Sequence, residues 1–130
     1  MYSKTTRGIK INVTPVFIHE QSVPISNKYV WAYHIVIENT GNEIVQLLDR
    51  YWHITDSLGK LQEVRGPGVV GYQPLLRPTQ FFEYTSGVSL DTNSGIMKGH
   101  YLMQNIDGVK FEVEVPAFSL DLPNVEMVLN

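Results

Sequence analysis

The residues best equipped for chemistry in this sequence lie in one glycine-rich stretch, Arg65-Gly66-Pro67-Gly68-Val69-Val70-Gly71. Its G-x-G-x-x-G spacing is the one that lets backbone N–H groups approach a pyrophosphate closely. Gly66, Gly68 and Gly71 would shape a concave set of amides, and the Arg65 guanidinium would fork onto phosphate oxygens, helped by Arg77 and more distantly by Arg50. A dinucleotide fold needs a helix directly after such glycines. Here Pro74 and Pro78 follow instead, Phe81-Phe82-Glu83-Tyr84 has strand character, and the lysine and Ser/Thr of a P-loop are missing. The competing account is structural: the same glycines supply positive φ or close backbone packing in a tight crossover. That account carries more weight. Arg65, Gly66, Gly68 and Gly71 are the candidate phosphate-binding residues under the other.

Other constellations are weaker. His19, His34, His53 and His100 include no i, i+2 pair that would put two ligands on one strand face, and no cysteine can assist, so no transition-metal site is expected. Asp49, Asp56, Glu63, Asp91 and Asp107 show no spacing of a dedicated magnesium cage. Ser57, Ser86, Ser89 and Ser94 lie in turn-like sequence without a nucleophile elbow. Glu112 and Glu114 share a strand face, but they alternate with Phe111, Val113 and Val115, as on a solvated sheet surface. The expectation is a non-catalytic chain without a cofactor.

The elements that hold these residues read as strands. Ile9, Ile11 and Val13 alternate with Lys10, Asn12 and Thr14, until Pro15 marks a bulge or an edge position. Over 29–38, Tyr29, Trp31, Tyr33, Ile35 and Ile37 share one face. A strand over 45–55 puts Leu48, Trp52 and Ile54 opposite Leu47, Tyr51 and His53, and a turn at Asp56-Ser57-Leu58-Gly59 leads into 60–64. Residues 65–79, with three glycines and three prolines, read as an ordered loop or broken edge. Further strands cover 81–85, 95–104 and 109–118, the last entered through Asp107-Gly108. Seven or eight short strands with turns between them predict an all-β antiparallel sandwich of the immunoglobulin or fibronectin type III kind. Trp31 or Trp52 is the expected buried tryptophan.

Composition sets the outer bounds. The 130 residues suit one domain over 1–130, with a core from about 8 to 120 and a short C-terminal tail. A formal charge of −3 and scattered basic residues argue against a nucleic-acid partner, because phosphate-backbone binding needs concentrated Lys and Arg. Residues 1–10 lack a signal-peptide core and no stretch has the length of a membrane span, so a cytoplasmic location without membrane insertion is expected.

A longer succession of motifs is more specific than any of these. Val45-Gln46-Leu47-Leu48-Asp49-Arg50-Tyr51-Trp52-His53-Ile54-Thr55-Asp56 precedes Glu63-Val64-Arg65-Gly66, then Gly68-Val69-Val70-Gly71 and Gln73-Pro74. Phe82-Glu83-Tyr84-Thr85-Ser86-Gly87, Gly95-Ile96-Met97-Lys98-Gly99-His100-Tyr101 and Phe111-Glu112-Val113-Glu114-Val115-Pro116-Ala117-Phe118 follow. This series resembles the ApaG family over nearly the whole chain. The resemblance implies a fibronectin type III-like sandwich, a bacterial source, and an association with cobalt resistance and magnesium efflux. It also implies a protein-interaction module, with an unidentified protein as partner; a homodimer is compatible with this. Tyr72 stands where the family commonly has an acidic residue, and Val88 where cysteine is common. The alternative function is a sensor of small phosphate-containing molecules, such as pyrophosphate or a diadenosine polyphosphate, at the glycine loop.

Overall fold

Period-two patterning resolves into nine antiparallel strands over residues 1–123, the part of the chain that the computed structural model describes. They are β1 (Tyr2–Thr6), β2 (Ile9–Phe17), β3 (Tyr29–Asn39), β4 (Val45–Asp56), β5 (Leu61–Pro67), β6 (Leu75–Leu76), β7 (Phe81–Leu90), β8 (Gly95–Asn105) and β9 (Lys110–Leu120). One sheet has the order β1-β2-β3-β7 and the other β5-β4-β8-β9, with β6 pairing β4. Most of the C-terminal tail expected after Leu120 lies outside the described residues. Among those described, no helix is long and apolar enough to cross a membrane.

The core forms where the alternating faces meet. Ile9, Ile11 and Val13 of β2 and Trp31, Tyr33, Ile35 and Ile37 of β3 are buried against Leu47, Trp52, Ile54, Tyr101, Met103, Val113 and Phe118 of the other sheet. Burying each such side chain contributes roughly 1.5–3 kcal/mol. Both tryptophans are buried: Trp52 meets Tyr33 edge-on at 5.4 Å, and the Trp31 indole N–H donates to Asp121 O at 2.8 Å. Both rings therefore fill the part expected of one.

Several strands depart from the sequence expectation, each for a local reason. Leu47 pairs Met103 while Asp49 pairs Leu102, so Leu48 is the extra residue of a β-bulge. The bulge resets the alternation, and Leu47 rather than Leu48 joins Trp52 and Ile54 in the core. The described residues form nine strands rather than seven or eight. β1, which carries little apolar alternation, pairs β2 through Tyr2↔Val13 to Thr6↔Ile9, and the two-residue β6 is too short to leave a pattern. β5 runs on through Arg65, Gly66 and Pro67, and β7 continues past Thr85 to Leu90. Pro15 does occupy an edge position, since β1 covers β2 only as far as Val13.

The two flanks of the sandwich differ. On one, β1 packs against β9: Tyr2 meets Phe118 at 6.1 Å, Thr6 Oγ1 accepts from the Glu114 N–H at 3.4 Å, and Tyr2 Oη accepts from the Ser119 N–H at 3.3 Å. Lys4 and Glu114 form an ion pair there, and this contact holds the Glu114 carboxyl below its ordinary value. The opposite flank carries the edges of β7 and β5, crossed by the chain between β5 and β7. Buried Asn39 anchors that crossover: its side-chain amide donates to Glu43 O at 2.7 Å and Leu76 O at 3.0 Å, and its backbone bonds Thr79 and Gln80.

Candidate functional site

The glycine loop is built around Arg50 and not around Arg65. Arg50 Nη1 donates to Pro67 O and Gly68 O, each at 3.0 Å. Gly66, opposite Arg50 in the β4–β5 ladder, leaves the room that this guanidinium occupies: a Cβ there would lie 3.1 Å from its nitrogens. Gly68 has φ +61°, and a Cβ added to it would fall 2.3 Å from Tyr72 O. The Gly68 N–H donates to Leu48 O, and Val69 and Tyr72 exchange backbone bonds at 2.8 and 2.9 Å. Val70 and Gly71, with φ of 43° and 85°, form the tip of that turn. Consecutive positive φ values are the mark of a type I′ turn, a conformation a β-branched residue rarely adopts. Of the loop amides, those of Val70 and Gly71 donate to no acceptor among the described residues.

Arg65 points elsewhere. Its guanidinium lies over the Tyr51 ring at 4.2 Å on the outer face of the second sheet. Tyr51 stacks at 5.0 Å on His100, whose Nε2 lies 3.3 Å from a Glu112 oxygen. The Tyr51 hydroxyl donates to Glu63 at 2.7 Å, and this bond to a carboxylate raises the phenol above its ordinary value. Arg65 and Gly66 line a shallow depression of about 460 Å³ with Arg50, Tyr51, His100 and Glu112. Gly68 and Gly71 are not among its walls, so the four candidate residues divide between two places. Arg77 is exposed, and its N–H donates to the Gln80 side chain.

A third feature was not legible as a site. An open groove of about 600 Å³ runs along the crossover and the start of β7, walled by Tyr72, Pro74, Leu75, Phe81 and Phe82. Three of these residues are unusually bare for their type: Tyr72 is 62% exposed, Phe81 58% and Leu75 47%. Tyr72 leans on Phe82 with ring centroids 5.8 Å apart. The available sequence signal was apolar and aromatic residues inside a proline-rich connection, where polar turn residues usually prevail. Among the described residues, no three His, Cys, Asp or Glu side chains gather in a way that could hold a metal ion.

Beneath the loop, the core holds a small polar network. The Tyr84 and Tyr101 hydroxyls meet at 2.6 Å, and burial raises both phenols well above their ordinary value. Desolvation raises Tyr33 as well.

Comparison with known proteins gives a consistent picture. The ApaG domain profile matches residues 19–105. The chain is 57% identical to Protein ApaG of Parvibaculum lavamentivorans and 53% identical to Protein ApaG of Mesorhizobium japonicum, each over the full length of both chains. Among solved structures, a Bordetella pertussis protein superposes with a TM-score of 0.87 at 46% identity, covering 89% of this chain and 94% of that one. A second X-ray structure superposes with a TM-score of 0.85 at 41% identity, covering 91% and 89%.

Proposed function

The chain belongs to the ApaG domain family, and from that premise we propose that it is a non-catalytic module that recognises another protein through the apolar groove beside β7. The observation that supports this reading is the exposure of Tyr72, Leu75 and Phe81 around one concavity. Apolar surface of this kind gains free energy when water is expelled by a partner. Tyrosine and phenylalanine are also the side chains that interface cores favour, since they supply large contact area at small entropic cost. We read the strand order as fibronectin type III-like and the compartment as the cytoplasm. The family's link with cobalt resistance and magnesium efflux then runs through the protein that is bound.

The test is affinity capture from the native host with the wild-type chain and with Phe81→Lys, after an amide spectrum shows that the variant is folded. A partner held by the groove is depleted more than about tenfold, the loss expected when an anchor worth over 1.4 kcal/mol is removed. Equal recovery of every captured protein would sink the proposal.

A second reading, recognition of a phosphate-containing small molecule among Arg65, Gly66, Gly68 and Gly71, has one observation in its favour, and it concerns the Gly71 end alone, since Arg65 faces the outer sheet surface. The Val70 and Gly71 amides are adjacent and have no acceptor among the described residues. Inorganic pyrophosphate at millimolar concentration then shifts these two amides and raises the melting temperature, because a ligand of the native state must stabilise it. Unchanged shifts and an unchanged melting curve would end this reading.

A further inference from the structure

Three of the four sheet edges are defended. β1 and β9 cover one another on the stitched flank through the Tyr2, Lys4 and Thr6 contacts. β5 carries Glu63, Arg65 and Pro67 on a seven-residue strand, and charge with a missing N–H discourages pairing. β7 is different. It has ten residues, no proline, one charged side chain (Glu83), and β3 on one side only.

The register shows which backbone groups are free. The Asn39 N–H donates to Gln80 O, so Asn39 and Gln80 form a hydrogen-bonded pair. Bonded and non-bonded pairs alternate along an antiparallel ladder. Through Ile37↔Phe82, Ile35↔Tyr84, Tyr33↔Ser86, Trp31↔Val88 and Tyr29↔Leu90, the even-numbered residues of β7 therefore bond β3. Phe81, Glu83, Thr85, Gly87 and Ser89 turn their N–H and C=O groups outward, and among the described residues no hydrogen bond reaches them, although Lys60 and Gln62 line a small cavity with Ser89 at the far end of the strand. Such a row is a template for another strand.

Resting on the reading of this chain as a protein-binding module, we infer that the free edge of β7 is the docking line. Its occupant is an extended segment of the partner that joins the first sheet as a fifth strand. The surroundings define the chemistry of that segment. Its side chains alternate, one row over the outer face and one toward the core side, where Phe82 and Tyr72 wall the groove. The inner row is apolar, with a large side chain at the Phe81 end to fill the groove. The outer row is polar, with a basic or neutral residue beside Glu83, since like charges directly opposed destabilise a pair. A second copy of β7 does not meet these terms. Antiparallel self-pairing about a twofold axis sets the Phe81 end of one strand beside the Leu90 end of the other. Leu90 is buried in its own core, and Ser89 and Asp91 bring nothing apolar to the groove.

The experiment uses the full chain, labelled with nitrogen-15. The probe is a capped ten-residue peptide alternating valine with threonine, with one lysine at the centre and a tyrosine near one end. At millimolar peptide, the amides of Phe81, Glu83, Thr85, Gly87 and Ser89 shift and exchange with solvent at least about tenfold more slowly, while those of Phe82, Tyr84, Ser86 and Val88 change little. Thr85→Pro removes one outward N–H and no backbone bond to β3, losing only the exposed 2.7 Å contact between Thr85 Oγ1 and His34 Nδ1, and once its amide spectrum shows a folded chain it abolishes the effect. Gly87→Pro does the same at a position where an added Cβ meets only Trp31 O, at 3.5 Å. Outward amides that keep their exchange rates, or proline variants that bind as well as wild type, overturn the inference. A captured partner lost by Phe81→Lys yet retained by Thr85→Pro also overturns it, while leaving the protein-binding reading intact. A dimer of the free chain that Thr85→Pro dissolves replaces the occupant and overturns it too.

Discussion

Gly68→Ala tests whether the glycine loop is shaped by its own packing. The new Cβ would lie 2.3 Å from Tyr72 O and 3.0 Å from Tyr72 C, so that peptide must retreat by about 0.7 Å to make even a tight contact. Retreat strains the 2.8 Å bond from the Val69 N–H to the same oxygen. The left-handed backbone, at φ +61°, costs a residue with a Cβ roughly 1–2 kcal/mol, and a lost hydrogen bond adds about 0.5–1.5 kcal/mol. The total is about 2–3 kcal/mol. For a chain of this length, an unfolding entropy near 2.1 cal/mol/K per residue converts each kcal/mol into roughly 3–4 °C, so Tm falls by about 6–12 °C. Gly71→Ala is the control: its φ is +85°, but nothing lies within 4 Å of an added Cβ. The left-handed strain is common to both variants and cancels in their difference, which leaves the clash at Gly68, about 1 kcal/mol or 3–4 °C. Differential scanning calorimetry of the two variants measures this directly. A Gly71→Ala protein that melts at or below Gly68→Ala would refute the packing argument.

Val70→Asn raises Tm by about 3–4 °C, since it relieves a β-branched residue at φ 43° and makes the Asn-Gly pair that a type I′ turn favours, worth about 1 kcal/mol; a lower Tm would contradict that turn. Tyr84→Phe leaves the fully buried Tyr101 hydroxyl without its partner and costs about 1–3 kcal/mol in urea unfolding, part of which returns in the double variant with Tyr101→Phe. The raised phenols of Tyr33, Tyr84 and Tyr101 keep their protons in the folded state, so the stability they contribute is complete below the unfolded value of 10.0 and is lost as pH rises toward their folded values. Ultraviolet titration therefore finds these tyrosines ionising late, together with alkaline unfolding; early, independent ionisation would show them to be accessible. Elemental analysis of untagged protein finds no stoichiometric zinc or cobalt, given histidines without ligand spacing.

Legibility followed the physics of each segment. β3 was plain because five alternate residues, from Tyr29 to Ile37, face one core without interruption. β4 was harder: the bulge at Leu48 changes which parity is buried, and an extra unpaired residue has no composition of its own. Gly66 and Pro67 suggested a loop, yet they complete β5 because Arg50 needs the space that a glycine leaves. β1 escaped notice because Tyr2-Ser3-Lys4-Thr5-Thr6 carries little apolar alternation, although it forms a hairpin with its sequence neighbour β2. The candidate phosphate residues were legible as a pattern, but not their separation, because Arg65 faces the outer sheet surface while Gly68 turns toward Tyr72. The groove depends on where a two-residue strand pins the crossover, and that is set by the β4 register rather than by local sequence.

The stitched flank also fixes how the domain can be carried. Tyr2 and Ser119 touch, so the chain enters and leaves the sandwich at neighbouring points on the side away from β7. Closely spaced ends are the geometry of a cassette: a host protein could receive this sandwich within one of its surface loops without prising that loop apart.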